Sequence, residues 1–242
     1  MKNKKKIVCT WSGGIDSTAL IGHLLFNGYQ VLAVTLNFYE DIFVDRERKA
    51  RELLLPHLKS IGPITILEKE GNFLWNFSPD GKEIPRRNRL IIDHIIETVC
   101  RPKEIYYIGV GEYIGADTWV VKDHVAGADA DARALISYVY CEYGLDFRII
   151  TLADFGESRF KVDRIKLGYD IIGDSMFLTT NCLNNSEIHC GECYKCVERN
   201  IAFELLLDHD ETVYMADPKL NSMHSVYANQ MKGSFKNESK KS

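Results

Sequence analysis

The stretch Ser12-Gly13-Gly14-Ile15-Asp16-Ser17 decides the fold of this chain, and it lies between a short apolar run, residues 7–10, and a helix-like stretch, residues 18–27. Two adjacent glycines allow a tight turn with positive φ, so that successive main-chain N–H groups can converge on an anion. A helix that begins at the turn adds free N–H groups and the positive end of its dipole. The pattern therefore predicts a phosphate-binding loop.

The side chains of this hexad fit the same purpose. Ser12, Ser17 and Thr18 offer hydroxyl donors, and Asp16 can either cap the helix or help to hold a magnesium ion carried by a nucleotide. No lysine follows the glycines, so the pattern is not the Gly-x4-Gly-Lys-Ser/Thr loop. An ordinary Ser-Gly-Gly turn that caps a helix is the competing interpretation, and the full hexad directly after a strand favours the phosphate loop.

Composition limits the classes of protein that need to be considered. The chain has 242 residues, 45% of them hydrophobic, which is enough for one core and a small appendage. Its net charge of −4 provides no overall basic field for nucleic acid. The basic start, residues 1–6, and the short apolar run after it predict neither a signal peptide nor a membrane span. Seven cysteines without a secretory signal favour a reducing compartment, the cytoplasm.

Apolar runs rich in β-branched residues alternate with helical patterns along the chain. Strands are predicted at residues 7–10, 30–36, 64–67, 104–110 and 147–152, and helices at 16–26, 45–55 (ending at Pro56), 88–99 and 130–142. This alternation predicts an α/β fold with a doubly wound, mostly parallel, Rossmann-like sheet. Ligands bind such sheets beyond the carboxyl ends of the strands, where the hexad would lie.

A second pattern lies near the carboxyl end, where Cys182, Cys190, Cys193 and Cys196 form a Cys-x7-Cys-x2-Cys-x2-Cys array. Four thiolates close the coordination sphere of Zn²⁺, which predicts a structural metal. An iron–sulfur cluster is the main alternative, and a metal-free disulfide or redox pair is a further one. The other cysteines, Cys9, Cys100 and Cys141, are expected to be small buried core residues.

These patterns together divide the chain into three parts. Residues 1–175 are predicted to form the nucleotide-binding α/β domain, and residues 176–215 a small metal-binding knuckle with a helix from Val197 to Leu207 packed on that domain. Residues 216–242 are polar and rich in Gly, Ser, Asn and Lys, which predicts a flexible tail.

The hexad matches the SGGxDS signature of the PP-loop ATP pyrophosphatases, and with the cysteine array the chain resembles the 7-cyano-7-deazaguanine synthase family. Three further stretches carry the resemblance. Residues 84–88 resemble a VPxRN segment, residues 161–168 a Lys-x-x-Ile-x-x-Leu-Gly helix, and residues 180–203 a zinc knuckle with the helix that follows it. In order, these matches cover roughly residues 5 to 205.

The resemblance implies a reaction. Such an enzyme adenylates the carboxylate of 7-carboxy-7-deazaguanine, releases pyrophosphate, and uses ammonia to form the amide and then, with a second ATP, the nitrile 7-cyano-7-deazaguanine. It implies ATP as co-substrate, Mg²⁺, and structural zinc on the four cysteines. A homodimer is one assembly open to it, and neither a membrane nor stable nucleic-acid binding is expected.

It also implies roles for individual residues. Asp16, Ser17 and Lys161 would be catalytic. Tyr39, with Phe38 beside it, would stack on the substrate base, and packing in the core or in a loop lid is the alternative for this pair. Asp131 and Arg133 would bind the substrate, although here they lie in Ala128-Asp129-Ala130-Asp131-Ala132-Arg133, where the family has Tyr-Pro-Asp-Cys-Arg. The residues expected to bind ATP are Ser12, Gly13, Gly14, Ile15, Asp16, Ser17, Thr18, Arg87, Asn88 and Lys161.

Three other functions compete with this one. A PP-loop tRNA thiolation enzyme would also adenylate its target, but it would need a basic RNA-binding face. An amidating synthetase fed by a glutaminase partner is a second option. The third is a zinc-knuckle module that binds nucleic acid. The acidic residues around the array, Glu187, Glu192 and Glu198, outnumber the basic Lys195 and Arg199, and such a local charge does not attract phosphate.

Overall fold

A computed structural model describes residues 5–38, 44–71, 92–111, 136–144, 146–156, 161–184 and 187–229. Within them, five strands form one sheet in the order β3-β2-β1-β4-β5, and every neighbouring pair is parallel. The strands are β1 (Lys6–Thr10), β2 (Gln30–Phe38), β3 (Ile64–Gly71), β4 (Tyr107–Gly109) and β5 (Arg148–Ile150). The predicted α/β fold with a parallel sheet is confirmed.

Helices follow the strands on both faces of the sheet. They are α1 (Ile15–Phe26), α2 (Val44–Ile61), α3 (92–95, continued by a π-helical turn, Ile96–Cys100), α4 (136–143), α5 (Lys161–Ile172), α6 (Tyr194–Leu207) and α7 (224–229). Short 3₁₀ turns lie at Arg101–Lys103, Leu152–Asp154, Gly173–Leu178 and Pro218–Leu220. No helix in the described part of the chain has the length and apolar character needed to cross a membrane.

Alternation along β1 divides the core between the two faces of the sheet. Ile7 and Cys9 pack with α1 and the buried leucines of α2, whereas Val8 faces the opposite way and packs with α3. Successive side chains of a strand point to opposite faces, so one apolar strand contributes to both halves of the core.

The strand order determines where a ligand can bind. The chain crosses from β1 to β2 on one side and reaches β4 on the other side of β1, so the crossovers diverge at β1. In parallel sheets the crevice at such a point, beyond the carboxyl ends of the strands, is the usual ligand site. Residues 11–14 connect β1 to α1 there, as the hexad predicts.

The predicted end of α2 at Pro56 is wrong, because the helix continues through the proline to Ile61. Pro56 is exposed, whereas Leu54 and Leu58 on either side of it are fully buried. Proline has no N–H to donate to the carbonyl four residues earlier, and on this exposed side of the helix water can solvate that carbonyl. The packing of the two leucines outweighs the usual cost of a proline inside a helix, about 3 kcal/mol.

Two further expectations differ from the structure. The tail predicted to begin at residue 216 is anchored up to residue 229, because α7 places Tyr227, only 1% exposed, in a core cluster with α5 and α6. Among the remaining cysteines, Cys9 and Cys100 are buried as expected, but Cys141 on α4 is exposed. Tertiary contacts hold Tyr227, and Cys141 lies on a helix face that is exposed. Composition alone reveals neither.

Candidate nucleotide-binding site and cysteine cluster

The backbone of the loop between β1 and α1 has the conformation that its glycines permit. Gly13 has a φ of +82°, and a Cβ there would lie 3.0 Å from the main-chain oxygen of Glu47 and 3.2 Å from Cβ of Ala50 on α2. The first helical hydrogen bond of α1 runs from Thr18 N–H to the Gly14 carbonyl, at 3.0 Å. The amides of residues 15–17 precede that bond, so they face the open end of the helix, where an anion would bind.

The hydroxyl groups of the hexad have two different roles. Ser12 Oγ accepts a hydrogen bond from Gly14 N–H at 3.2 Å and lies 3.3 Å from Ser17 Oγ, so both serines line the turn. Thr18 is fully buried, and its hydroxyl accepts a bond from Trp11 Nε1 at 3.1 Å. Thr18 therefore supports the shape of the loop from beneath.

An ion cluster joins the start of α1 to the start of α5. Lys161 Nζ lies 3.1 and 3.0 Å from the two carboxylate oxygens of Asp16, and Arg164 Nη1 lies 3.2 Å from one of them. Burial favours the neutral acid, but the charges of Arg164 and Lys161 outweigh it and hold the pKa of Asp16 well below its usual range. Asp16 thus stays ionised, and it does not cap α1, whose N-cap position is Gly14.

Close packing of α5 on α1 fixes this cluster. A Cβ at Gly168 would lie 3.1 Å from the Ala19 side chain, and one at Gly22 would lie 3.3 Å from Ile171. Lys161 is consequently only 2% exposed, a held cation rather than the mobile surface charge that its sequence position suggests. Its ammonium lies at the end of α1 where the free amides point.

Sequence reasoning missed Arg164 and Gly111. Arg164 stands at the isoleucine position of the Lys-x-x-Ile-x-x-Leu-Gly pattern, and that departure was a signal. Gly111 follows β4, and a Cβ there would lie 2.7 Å from Cα of Ser17. No short motif marks Gly111, because its close neighbour belongs to a distant part of the chain.

Replacing Gly111 by alanine is expected to lower nucleotide affinity at least tenfold, about 1.4 kcal/mol. The added methyl would meet the main chain of Ser17, which has to move, and overpacking of this kind costs about 1–3 kcal/mol. Calorimetric titration with a nonhydrolysable ATP analogue measures the affinity. Gly62→Ala is the matched control, because its Cβ would make ordinary contacts of 3.4 Å. Equal affinities for the two variants would contradict the close approach at Ser17.

The four cysteines of the array form one compact cluster. Their sulfur atoms all lie within 4.8 Å of one another, and Cys190 Sγ and Cys196 Sγ are 3.9 Å apart. Around a tetrahedral ion with bonds of about 2.3 Å, the sulfurs are separated by about 3.8 Å. The cluster therefore has the size of a site for a single metal ion.

Main-chain N–H groups support these sulfur atoms. Cys182 Sγ accepts bonds from the amides of Asn184 and Cys190, each at 3.4 Å, and Cys190 Sγ accepts one from Cys193 N–H at 3.3 Å. A hydrogen bond with the Cys196 thiol lowers the pKa of Cys193 below its ordinary value. The same contact raises the pKa of Cys196, whereas the main-chain donors orient the sulfur atoms that would ligate a metal.

Five residues predicted to contact the ligands lie outside the described part of the chain: Tyr39, Arg87, Asn88, Asp131 and Arg133. The side chain of Phe38 is also outside it. The side chain of Ile15 is 1% exposed and packs against α5 and α6, so only the main chain of Ile15 is available at the loop. Of the predicted site residues, the structure brings together the hexad and Lys161, and separately the four cysteines.

Comparison with known proteins places these features in context. No protein-family model matches the chain. The chain is 25% identical over 228 residues to 7-cyano-7-deazaguanine synthase 2 of Sulfurisphaera tokodaii, covering 84% of this chain and 46% of that protein. It therefore spans about half the length of that relative. It is also 25% identical over 217 residues to the 7-cyano-7-deazaguanine synthase of Methanothrix thermoacetophila, covering 82% of this chain and 93% of that protein.

A solved structure shares the fold. A 4-thiouridine synthetase in complex with RNA and with bound ATP superposes with a TM-score of 0.51 at 16% identity, over 93% of this chain and 51% of that one. The two curated relatives extend the match from motifs to most of the chain. The resemblance predicted from the hexad and the cysteine array is confirmed: over more than four-fifths of its length this chain is similar to the 7-cyano-7-deazaguanine synthases, at about one identical residue in four.

Proposed function

We propose that the chain is an ATP-dependent carbon–nitrogen ligase that adenylates the carboxylate of 7-carboxy-7-deazaguanine. A carboxylate oxygen attacks the α-phosphorus of ATP, the bond to the β-phosphate breaks, and pyrophosphate leaves. Ammonia then attacks the acyl carbon and releases AMP, which gives the amide. A second round of ATP-driven activation dehydrates the amide to the nitrile.

The observation that carries this proposal is the convergence of three anion-binding features at one point. The free amides of α1, the turn at Gly13 and the ammonium of Lys161 lie together beyond the carboxyl end of β1. Transfer of a nucleotidyl group needs positioning of the phosphates and neutralisation of the charge on the leaving group. This arrangement offers both for a pyrophosphate.

The relatives supply the substrate class. Proteins named as 7-cyano-7-deazaguanine synthases match more than four-fifths of the chain, and this supports a deazaguanine as the substrate. Tyr39, Asp131 and Arg133 remain the predicted substrate contacts, and Arg87 and Asn88 the predicted further nucleotide contacts. Magnesium would accompany the nucleotide, in the manner usual for ATP.

The cysteine cluster would hold a structural Zn²⁺ through Cys182, Cys190, Cys193 and Cys196. The separation of the sulfur atoms supports one ion rather than a cluster of four irons and four sulfides, which needs more room. Zinc has no redox chemistry, and four thiolates leave no open position for a substrate. Its contribution would be to join the segment at Cys182 to α6.

The surface of the knuckle gives little support to nucleic-acid binding by this module. Arg199, one of two basic residues that the sequence places there, is fully buried and donates hydrogen bonds to Thr212, Thr179 and the carbonyl of Phe177. Glu187 and Glu192 are exposed. Phosphate backbones are attracted by exposed cations, so this local field is unfavourable.

The proposed reaction can be tested with the full chain in its zinc-loaded form. We expect release of pyrophosphate from ATP, with Mg²⁺ and ammonia present, to depend on 7-carboxy-7-deazaguanine, and mass spectrometry to show the amide or nitrile. The matched acceptor is 7-deazaguanine, which lacks the carboxylate and should give background release. Equal release with the two acceptors would contradict the substrate. No release with any carboxylate would contradict the ligase.

A further inference from the structure

The nucleotide loop is paired with a segment that leads directly into the cysteine cluster. Thr180 N–H donates a hydrogen bond to the Gly13 carbonyl at 3.0 Å, and Gly14 and Thr180 form an isolated parallel bridge. The contact is close, because a Cβ at Gly14 would lie 3.2 Å from the Thr180 carbonyl oxygen. Cys182, the first cysteine of the cluster, follows two residues later.

The same segment is held on its other side by α6. Arg199 on α6 donates to Thr179 Oγ1 at 2.9 Å and to the Phe177 carbonyl at 2.9 Å. One turn earlier the same helix carries Cys196, whose sulfur lies in the cluster. Thr179 and Thr180 are therefore fixed between the glycine loop and the helix that contributes a metal ligand.

Helix α2 forms a second connection between the two sites. Arg46, near its start, donates hydrogen bonds to the main-chain carbonyls of Cys182 and Asn184. Arg51, in the following turn, is 4% exposed and donates to the Ser12 carbonyl at 3.4 Å. One end of this connection therefore lies at the glycine turn, and the other lies at the main chain around Cys182.

We propose that Thr180 is a positioning residue of the nucleotide loop, and that metal bound at the cysteine cluster fixes Thr180 against Gly13 and Gly14. Metal ties Cys182 to the three cysteines of the 190–196 segment and so restricts the chain two residues after Thr180. The amides that receive the phosphates are then held before the ligand arrives. This inference rests on the proposed function, since it requires the loop to bind a nucleotide.

Coupling of this kind is reciprocal. If bound metal increases the affinity for nucleotide, bound nucleotide must increase the affinity for metal by the same factor. The affinity for zinc, measured by equilibrium competition with a chromogenic chelator, is a readout that does not depend on turnover. We expect α,β-methylene-ATP with saturating Mg²⁺ to raise the affinity of the protein for zinc about fivefold or more.

Two substitutions at Thr180 separate its main chain from its side chain. Thr180→Pro removes the N–H that bonds to Gly13, and the preceding residue is already extended, with φ −69° and ψ 153°, as a proline requires. Thr180→Val keeps the N–H and loses only the hydroxyl, which has no hydrogen-bond partner among the described residues. We expect the nucleotide to raise the zinc affinity of Thr180→Val as much as that of the wild type, and that of Thr180→Pro by less than about twofold.

A second pair of variants keeps the test decisive if the proline variant does not fold. Arg46→Met removes the donors to the carbonyls of Cys182 and Asn184, and Arg48→Met removes an exposed arginine of the same helix that pairs with Asp45. The nucleotide effect should shrink in the first and persist in the second. Zinc chelation by the nucleotide itself would lower the apparent zinc affinity of every variant alike, so it does not produce the expected difference between them.

Calorimetric titration of the same samples with the analogue distinguishes the two ways to fail. If the wild type binds the analogue but its affinity for zinc is unchanged, the coupling is overturned while the proposed function stands. The coupling is also overturned if Thr180→Pro or, where that variant does not fold, Arg46→Met shows the full wild-type effect. If the wild type does not bind the analogue, the proposed function and this inference both fall.

Discussion

Replacing Lys161 by methionine is expected to lower kcat for pyrophosphate release by about 10²–10³-fold. The ammonium of Lys161 is 2% exposed and 3.0 Å from the Asp16 carboxylate, so its charge is fixed where the leaving group would develop charge. Removing one such preorganised group from an active site typically costs this much in rate. Measurement of kcat and KM at saturating Mg²⁺ checks the prediction.

Controls separate this effect from a loss of structure. Lys166→Met, on the same helix but exposed and paired with Asp170, should leave kcat unchanged. In Lys161→Met the Asp16 carboxylate keeps Arg164 as a cationic partner, so thermal unfolding should show that the variant is folded. A Lys161→Met enzyme that keeps activity within about threefold of the wild type would show that this cation does not act on the phosphates.

Replacing Cys193 by serine is expected to abolish stoichiometric metal binding and to cause unfolding or poor solubility. Structural zinc contributes about 10–16 kcal/mol in small zinc domains, comparable with or greater than the whole stability of a typical domain. Cys193 stands at the N-cap of α6, and α6 carries Arg199 and Phe203 into the core. Loss of the ligand should therefore release the helix as well as the ion.

Metal analysis by mass spectrometry, an absorbance scan and thermal unfolding provide the measurements. We expect one zinc per wild-type chain, no visible absorption of an iron–sulfur cluster, and a lower Tm for Cys193→Ser. Cys141→Ser is the matched control, because Cys141 is exposed on α4. A Cys193→Ser protein that stayed folded with its full metal content would refute the structural site.

The parts of the fold and of the site that depend on residues close together in the sequence could be predicted from it. The two glycines of the hexad, the apolar strand before it and the spacing of the cysteines are local patterns, and each encodes its own backbone geometry. The hexad predicted the turn after β1, the cysteine spacing predicted the compact group of four sulfurs, and the alternation of apolar runs with helical patterns predicted the parallel sheet. The same kind of reasoning failed at Pro56, where distant packing of Leu54 and Leu58 overrides a local helix breaker.

Only the tertiary structure decided which distant residues meet at these local features. Gly111 approaches Ser17, Arg164 joins Lys161 at Asp16, and Thr180 pairs with Gly13, at separations of tens to more than a hundred residues along the chain. Such contacts form because crossovers in a parallel sheet bring the ends of separate strands and helices to one edge. The sequence by itself determined that a glycine turn follows β1 and that four cysteines lie close together, since each is encoded in a short stretch of the chain. The folded chain alone determined that the two are joined, because that junction is made of main-chain hydrogen bonds and of arginine side chains from α2 and α6, which are distant along the sequence.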